Sequence, residues 1–352
     1  VIRTLDVLHT VAASHNERTS AEKALLGAVA RDPERGYLRT FTEPGDGLLI
    51  GRYHAAPHDL APGTSAEVSV HRRRTGGRVM PAGEGFLGLS LILPHRAALV
   101  SDDWRALEPE QVMNRCVRGL LEGLKGVSVP AFYPGRDTIT AAGRTLGAVS
   151  FHTTHEGALL FEAVVAMTRS FAMVPLRLDV VDPAGVIACP MWTTADTTTV
   201  GDVSTRAVAA EELGDRIMTG YRDLFGLDVV HGQPARQHVD KAGVGDGAAD
   251  REWLHSRSPR ASLTRRGTVS THIGMLEAYV ERDGDRLRDV MLVGDFIANA
   301  AAVDILEAQL RGVPMDGAAI AATVLGVFAQ PENFMLGLAN LSQIADAIRE
   351  AQ

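Results

Sequence analysis

VSVHRRRTGGRVMPAGEGFLGLSLIL, residues 68–93, sets a glycine- and arginine-rich loop between two β segments, Val68 to His71 and Leu87 to Leu93. Glycines let backbone N–H groups approach an oxygen closely, and guanidiniums grip phosphate or carboxylate as a fork. The run Arg72-Arg73-Arg74-Thr75-Gly76-Gly77-Arg78 therefore suits an anion. It matches neither G-x-x-x-x-G-K-S/T nor G-x-G-x-x-G, and by spacing alone a solvated hairpin turn with a basic face explains it as well.

The segments around this loop read as α+β, because strands and helices alternate without regular strand–helix–strand spacing. Upstream lie a strand at Ile2 to Leu8, a helix at Ser20 to Val29 with Ser20 as N-cap, and strands at Tyr37 to Phe41 and Gly47 to Tyr53 across the turn formers TEPGD. Downstream, Glu108 to Lys125 and Ala207 to Phe225 have helical periodicity, and Thr138 to Ile139 with Thr145 to Phe151 form a hairpin around AAGR. Gly157 to Met167 fits a buried strand or a helix. His231 to Pro259, poor in Leu, Ile and Phe, reads as a linker or mobile segment between a domain over 1–230 and a small module over 260–352. In that module strands are expected at Ser270 to Val280 and Leu287 to Val293, then helices at Ala301 to Leu310, Met315 to Leu325 and Leu338 to Glu350.

The chain has 352 residues, 45% of them hydrophobic, which is enough for two domains with real cores. A net charge of −8 argues against a general nucleic-acid binder that works by neutralising phosphates. Lys23, Lys125 and Lys241 are the only lysines, so chemistry needing an amine has three candidates. Two cysteines cannot build a disulfide framework: Cys116 sits at core helical spacing, and Cys189 reads as a buried inert thiol. His152 and His155 would face opposite sides of an extended segment, which disfavours a zinc pair. With no long apolar run and no signal-peptide pattern at its start, the protein is expected to be cytoplasmic, without a membrane or nucleic-acid partner.

Several stretches together resemble the lipoate–protein ligase A family, within the biotin and lipoate ligase and octanoyltransferase group. HRRRTGGRVM is similar to that family's RRxSGGG loop, YPGRDTI to its GRND segment and HEGALL to its HHGTLL strand. REWLHSRSP resembles the tryptophan-containing lead-in to the ligases' accessory domain, and LEAYVERDGDRLRDVMLVGDFIANAAAVDILEAQLRG resembles its hairpin, GDF turn and LE-x-x-L-x-G helix. The accessory part points to the ligase branch over the plain transferases.

The resemblance implies an α+β catalytic domain with a mixed sheet, a small α+β accessory domain, and a two-step reaction using ATP and Mg²⁺. A small carboxylic acid such as lipoate or octanoate becomes an acyl-adenylate, then passes to an amine, by expectation a lysine of a lipoyl or other carrier domain. Carried over by position, Arg73 contacts the adenylate phosphate, Thr75 stands for the family's serine, and Gly76 and Gly77 give backbone approach. Asp137 sits at the nucleotide or Mg²⁺, and His155 with Gly157 lines the acyl pocket. Arg78 replaces the loop's third glycine. The family's lysine, in a GKKISGSA-like stretch, falls here in GRTLGAVS, which makes Arg144 its stand-in. Two other readings are an ATP-independent acyl transferase using Cys189, and a non-catalytic homologue that binds the acyl group or nucleotide.

Overall fold

Strand order follows from where apolar side chains must go. The structure is a computed structural model and describes residues 1–55, 68–177, 192–242 and 247–351. Its first part contains β1 (Thr4–Thr10), α1 (His15–Val29), β2 (Arg35–Phe41), β3 (Asp46–Ile50), β4 (Ser69–Arg72), β5 (Met80–Gly83), β6 (Phe86–Leu93), α2 (Pro109–Gly126), β7 (Ala131–Phe132), β8 (Thr138–Ala141), β9 (Arg144–Thr153) and β10 (Leu159–Ala166). Short helices α3 (Met173–Arg177) and α4 (Val200–Val203) precede α5 (Ala210–Phe225), β11 (Asp228–His231), α6 (Gln233–Ala242) and α7 (Gly247–Leu254). The C-terminal part has β12 (Arg265–Thr271), β13 (Gly274–Asp283), β14 (Arg286–Gly294), β15 (Ile297–Ala298), α8 (Ala300–Leu310), α9 (Gly317–Phe328), β16 (Met335–Leu336) and α10 (Ser342–Glu350).

The expected α+β class holds. An eight-stranded mixed sheet runs β11-β1-β2-β6-β10-β9-β8-β7, with β1 parallel to both β11 and β2 and its other pairs antiparallel. One face is covered by α2 and α5, where Leu91, Val149 and Phe161 meet Val112, Leu120 and Ile217. Gly123 is required there: a Cβ would lie 2.6 Å from the Ile217 Cα, so only glycine lets the helices approach. The other face carries α1 on one side and the three-stranded sheet β4-β3-β5 on the other.

The C-terminal part has its own core, in which β12-β13-β14 packs against α8, α9 and α10 through Leu276, Leu292, Leu306 and Ile344. Tyr53 from the first part belongs to that core and donates its hydroxyl to the Ala298 carbonyl at 3.0 Å. No helix among the described residues is long and apolar enough to cross a membrane.

Several sequence boundaries move. Helix α1 begins at His15 because Ser14 and Glu17 form a reciprocal capping box; Ser20 is inside the helix. Gly157 to Met167 resolves as the strand β10, buried along its whole length. The expected strand Ser270 to Val280 is broken by the Thr271–Gly274 turn, and β12 and β5 were missed. The expected linker holds α6 and α7: QPARQHVDKA and GAADREWL carry only Val239, Trp253 and Leu254 as larger apolar residues but are rich in helix formers, so composition hid them. Both pack back on the first part: Ala235 N–H donates to Asp6 at 3.0 Å, and the Trp253 indole donates to the Arg72 carbonyl at 2.9 Å.

Candidate functional site

The loop between β4 and β5 lies in the junction between the two parts. Gly77, at φ +82°, donates its N–H to the Phe296 carbonyl at 2.8 Å. A Cβ on Gly76 would fall 2.3 Å from that same carbonyl, so the close approach excludes any side chain. His54 Nε2 bridges the joint, 2.9 Å from Asp295 Oδ1 and 3.1 Å from the Gly77 carbonyl. The GDF turn, Gly294 to Phe296, thus sits on the glycine–arginine loop, and two motifs far apart in sequence become one structural unit.

The loop's arginines divide by role. Arg72, 1% exposed, donates to the carbonyls of Gly51, Arg52, His54, Trp253 and Leu254 at 2.8–3.1 Å and ties α7 to the loop. Burial pulls its pKa down to about 9. Arg73, also 1% exposed, donates to the Thr75 hydroxyl at 2.8 Å, to the carbonyls of Leu49 and Arg78 at 3.0 and 2.8 Å, and to the Gly76 carbonyl. Its guanidinium, expected at the adenylate phosphate, here shapes the loop. Arg74 is different: half-buried, it makes no hydrogen bond or ion pair among the described residues, and its Nε is an unpartnered buried donor. Sequence reasoning passed over it because three adjacent arginines look alike until the strand end orients them.

Arg78 and Asp137 form a bidentate pair at 2.7 and 2.6 Å, both under 5% exposed, with the Arg78 guanidinium 5.0 Å from the Trp192 ring centroid. Both Asp137 oxygens are thereby occupied. Asp137, expected at the nucleotide or Mg²⁺, thus stands in an ion pair with a residue of the loop, and the described residues contain no group of three or more acidic, His or Cys side chains placed to hold a metal.

Thr75 is fully buried and donates its hydroxyl to Glu162 on β10; Ser150 on β9 donates to the Gly76 carbonyl at 2.9 Å. Glu162 in turn accepts from Arg18 at 3.0 Å, and Glu22 accepts from Ser90 at 3.0 Å. Burial, with Glu162 nearby, pushes the Glu22 carboxyl up to about 7. His152, buried beside Arg52 and Arg74, is pulled down to about 3, chiefly by burial.

His155 and Gly157 lie elsewhere. They are exposed and line a cleft of about 920 Å³ between the two parts, opposite Asn299 and Asp304 and beside Trp104. Arg144 stands at the far end of β9, six positions from Ser150, about 20 Å at the usual strand rise. Its guanidinium makes one long contact, 3.5 Å to the Thr197 carbonyl. The expected lysine stand-in is therefore not brought to the loop. Cys189 lies outside the described residues. Cys116 is in the core, its thiol pushed up to about 12 by burial, as an inert thiol should be.

No family model and no curated protein matches the sequence. Solved structures do match. P. falciparum LipL1 in complex with lipoate superposes with a TM-score of 0.69 at 13% identity, over 98% of this chain and 99% of that one. Lipoate-protein ligase A bound with ATP gives 0.55 at 15% identity, over 73% of this chain and 100% of that one. A bipartite lipoate protein ligase of Thermoplasma acidophilum, solved in a study with its E2 lipoyl domain, gives 0.55 at 15% identity over 74% of this chain and 98% of that one. From the first strand to the last helix, this chain has the lipoate–protein ligase fold.

Proposed function

We propose that the protein is an ATP-dependent acyl ligase: a small carboxylic acid attacks the α-phosphate of ATP, releasing pyrophosphate, and an amine then attacks the acyl carbon, releasing AMP. The observation that supports this most is the junction itself, where the glycine–arginine loop and the GDF turn meet in a chain that matches a lipoate-bound neighbour over almost its full length. The ATP-bound neighbour supports a nucleotide co-substrate, and the lipoyl-domain partner of the Thermoplasma protein supports a carrier lysine as acceptor.

Within this reading Arg74 is the loop cation offered to the nucleotide phosphate, since its guanidinium is not taken up by the protein. Arg73, Thr75, Gly76 and Gly77 hold the loop in the shape that presents it, so that little reorganisation is left for the reaction. The amine nucleophile of the second step comes from the acceptor, and no lysine of this chain is needed for it.

Incubating the protein with ATP, Mg²⁺ and a panel including lipoate and octanoate should release pyrophosphate with at least one acid. Arg74→Ala should lower that release about 10²-fold while the protein stays folded. A different observation favours the non-catalytic reading: Arg73, Thr75, Arg78 and Asp137 are all satisfied internally. Saturable acid or nucleotide binding without pyrophosphate release would decide for it.

A further inference from the structure

Four polar residues stand in one row across the middle of the main sheet. Arg39 on β2 is in register with Ser90 on β6, Ser90 with Glu162 on β10, and Glu162 with Ser150 on β9. All four are at most 3% exposed. On this face the neighbouring pairs are Ile92 with Leu160 on one side and Gly88 with Val164 on the other, so the row divides two apolar clusters, one around Leu25, Tyr37 and Leu160 and one around Phe86, Val164 and Trp192. A polar seam through the interior of a sheet is costly unless every member has a partner.

Helix α1 lays Arg18 and Glu22 onto the seam, and Thr75 ties it to the loop. The network nevertheless does not close. Glu22 Oε2, on a residue with no exposure, has no hydrogen-bond partner among the described residues, and the same holds for Arg39 Nε, Arg74 Nε and His152 Nδ1. These atoms come from α1, β2, the loop and β9. Arg39 and Arg74 act on the Glu22 carboxyl, and Arg74 acts on the His152 ring, so the four belong to one locality.

We propose that this seam selects the acid: the substrate carries a hydroxyl or amino donor on its chain, accepted by the Glu22 oxygen that the described residues leave unpartnered, and a plain aliphatic acid of equal length is discriminated against. The inference rests on the ligase reading for the acid's fate, though not for its binding. An aliphatic tail here would leave the Glu22 oxygen buried and unanswered, whereas a donor-bearing chain answers it. Sites built to hydrogen-bond an OH or NH group reject the analogue lacking it by as much as about 10⁴-fold.

Titration calorimetry of the full-length protein with octanoate, 8-hydroxyoctanoate, 8-aminooctanoate and their four- and six-carbon counterparts tests this. At least one donor-bearing acid should bind about 100-fold more tightly than the plain acid of its length. Preference for the amino over the hydroxy acid would mark a charged carboxylate as the reader, and the reverse a protonated Glu22. Glu22→Gln should weaken the favoured acid about tenfold and leave octanoate unchanged; equal loss for both would count against a specificity role. Octanoate binding as tightly as the best donor-bearing acid, or no acid binding at all, overturns the proposal. Pyrophosphate release with the same acids separates the two ideas: release with octanoate as the preferred acid sinks the seam and keeps the ligase, while selective binding without release keeps the seam and sinks the ligase.

Discussion

Glu22 shows how burial turns one side chain into a measurable pH effect. Its folded pKa is raised to about 7 from an ordinary 4.5, so the folded state favours the protonated form. Its contribution is fully present below about pH 4.5 and is lost as pH rises to about 7. Glu22→Gln removes that loss, so the variant should gain stability relative to the natural protein between pH 5 and 8, read as a growing difference in urea midpoints; a constant difference would contradict the assignment. The Arg78–Asp137 pair gives a second prediction. Asp137→Ala leaves a buried guanidinium without its bidentate partner, and should cost about 3 kcal/mol or more. Arg78→Met combined with Asp137→Leu should recover much of that in denaturant unfolding, because removing both charges leaves neither unpaired.

At the level of elements, α1 depends on its cap and the junction on a glycine. Ser14→Ala removes the hydroxyl that accepts from the Glu17 N–H, with an expected loss of about 1 kcal/mol, seen as a lower thermal midpoint. Gly76→Ala would put a methyl 2.3 Å from the Phe296 carbonyl. The C-terminal part should then detach from the loop, giving faster proteolysis near the GDF turn and loss of pyrophosphate release; a protected, active variant would show that the contact is dispensable. These elements were legible in the sequence to different degrees. Strand β6 and helices α2 and α5 announce themselves by their apolar pattern and the loop and GDF motifs by their residues, whereas the apolar run of β10 fits a strand or a helix until its sheet neighbours are placed. The helices α6 and α7 do not, because they are held by Asp6 and Arg72 from distant strands. Nor does the polar seam, which exists only through the register of four strands. Arg73 and Arg74 were indistinguishable until β4 fixed which guanidinium turns inward.

For the whole molecule, the buried His15 and His152 and the half-buried His71, on the α1 side of the sheet, shape the behaviour in acid. Burial holds His71 down to about 4 and His152 to about 3, and His15 well below its ordinary 6.5. Their stabilisation is fully present above about pH 6.5 and is lost as pH falls towards those folded values, because the unfolded chain takes up protons first. The His71 and His152 imidazoles should remain neutral at pH 5.5 in the folded protein by NMR; protonation near pH 6.5 would show that the site is wetter than this packing allows. The two parts share one joint, in which Tyr53, His54 and the loop meet Gly294 to Ala298, and ligase chemistry at that joint is the central claim. The most direct measurement is mass spectrometry of a single-turnover mixture of the protein with ATP, Mg²⁺ and the panel of acids. The expected result is an acyl-adenylate of at least one acid, in an amount that approaches the enzyme concentration and falls in Arg74→Ala. A folded protein that binds acid or nucleotide yet yields no adenylate with any of them would contradict it.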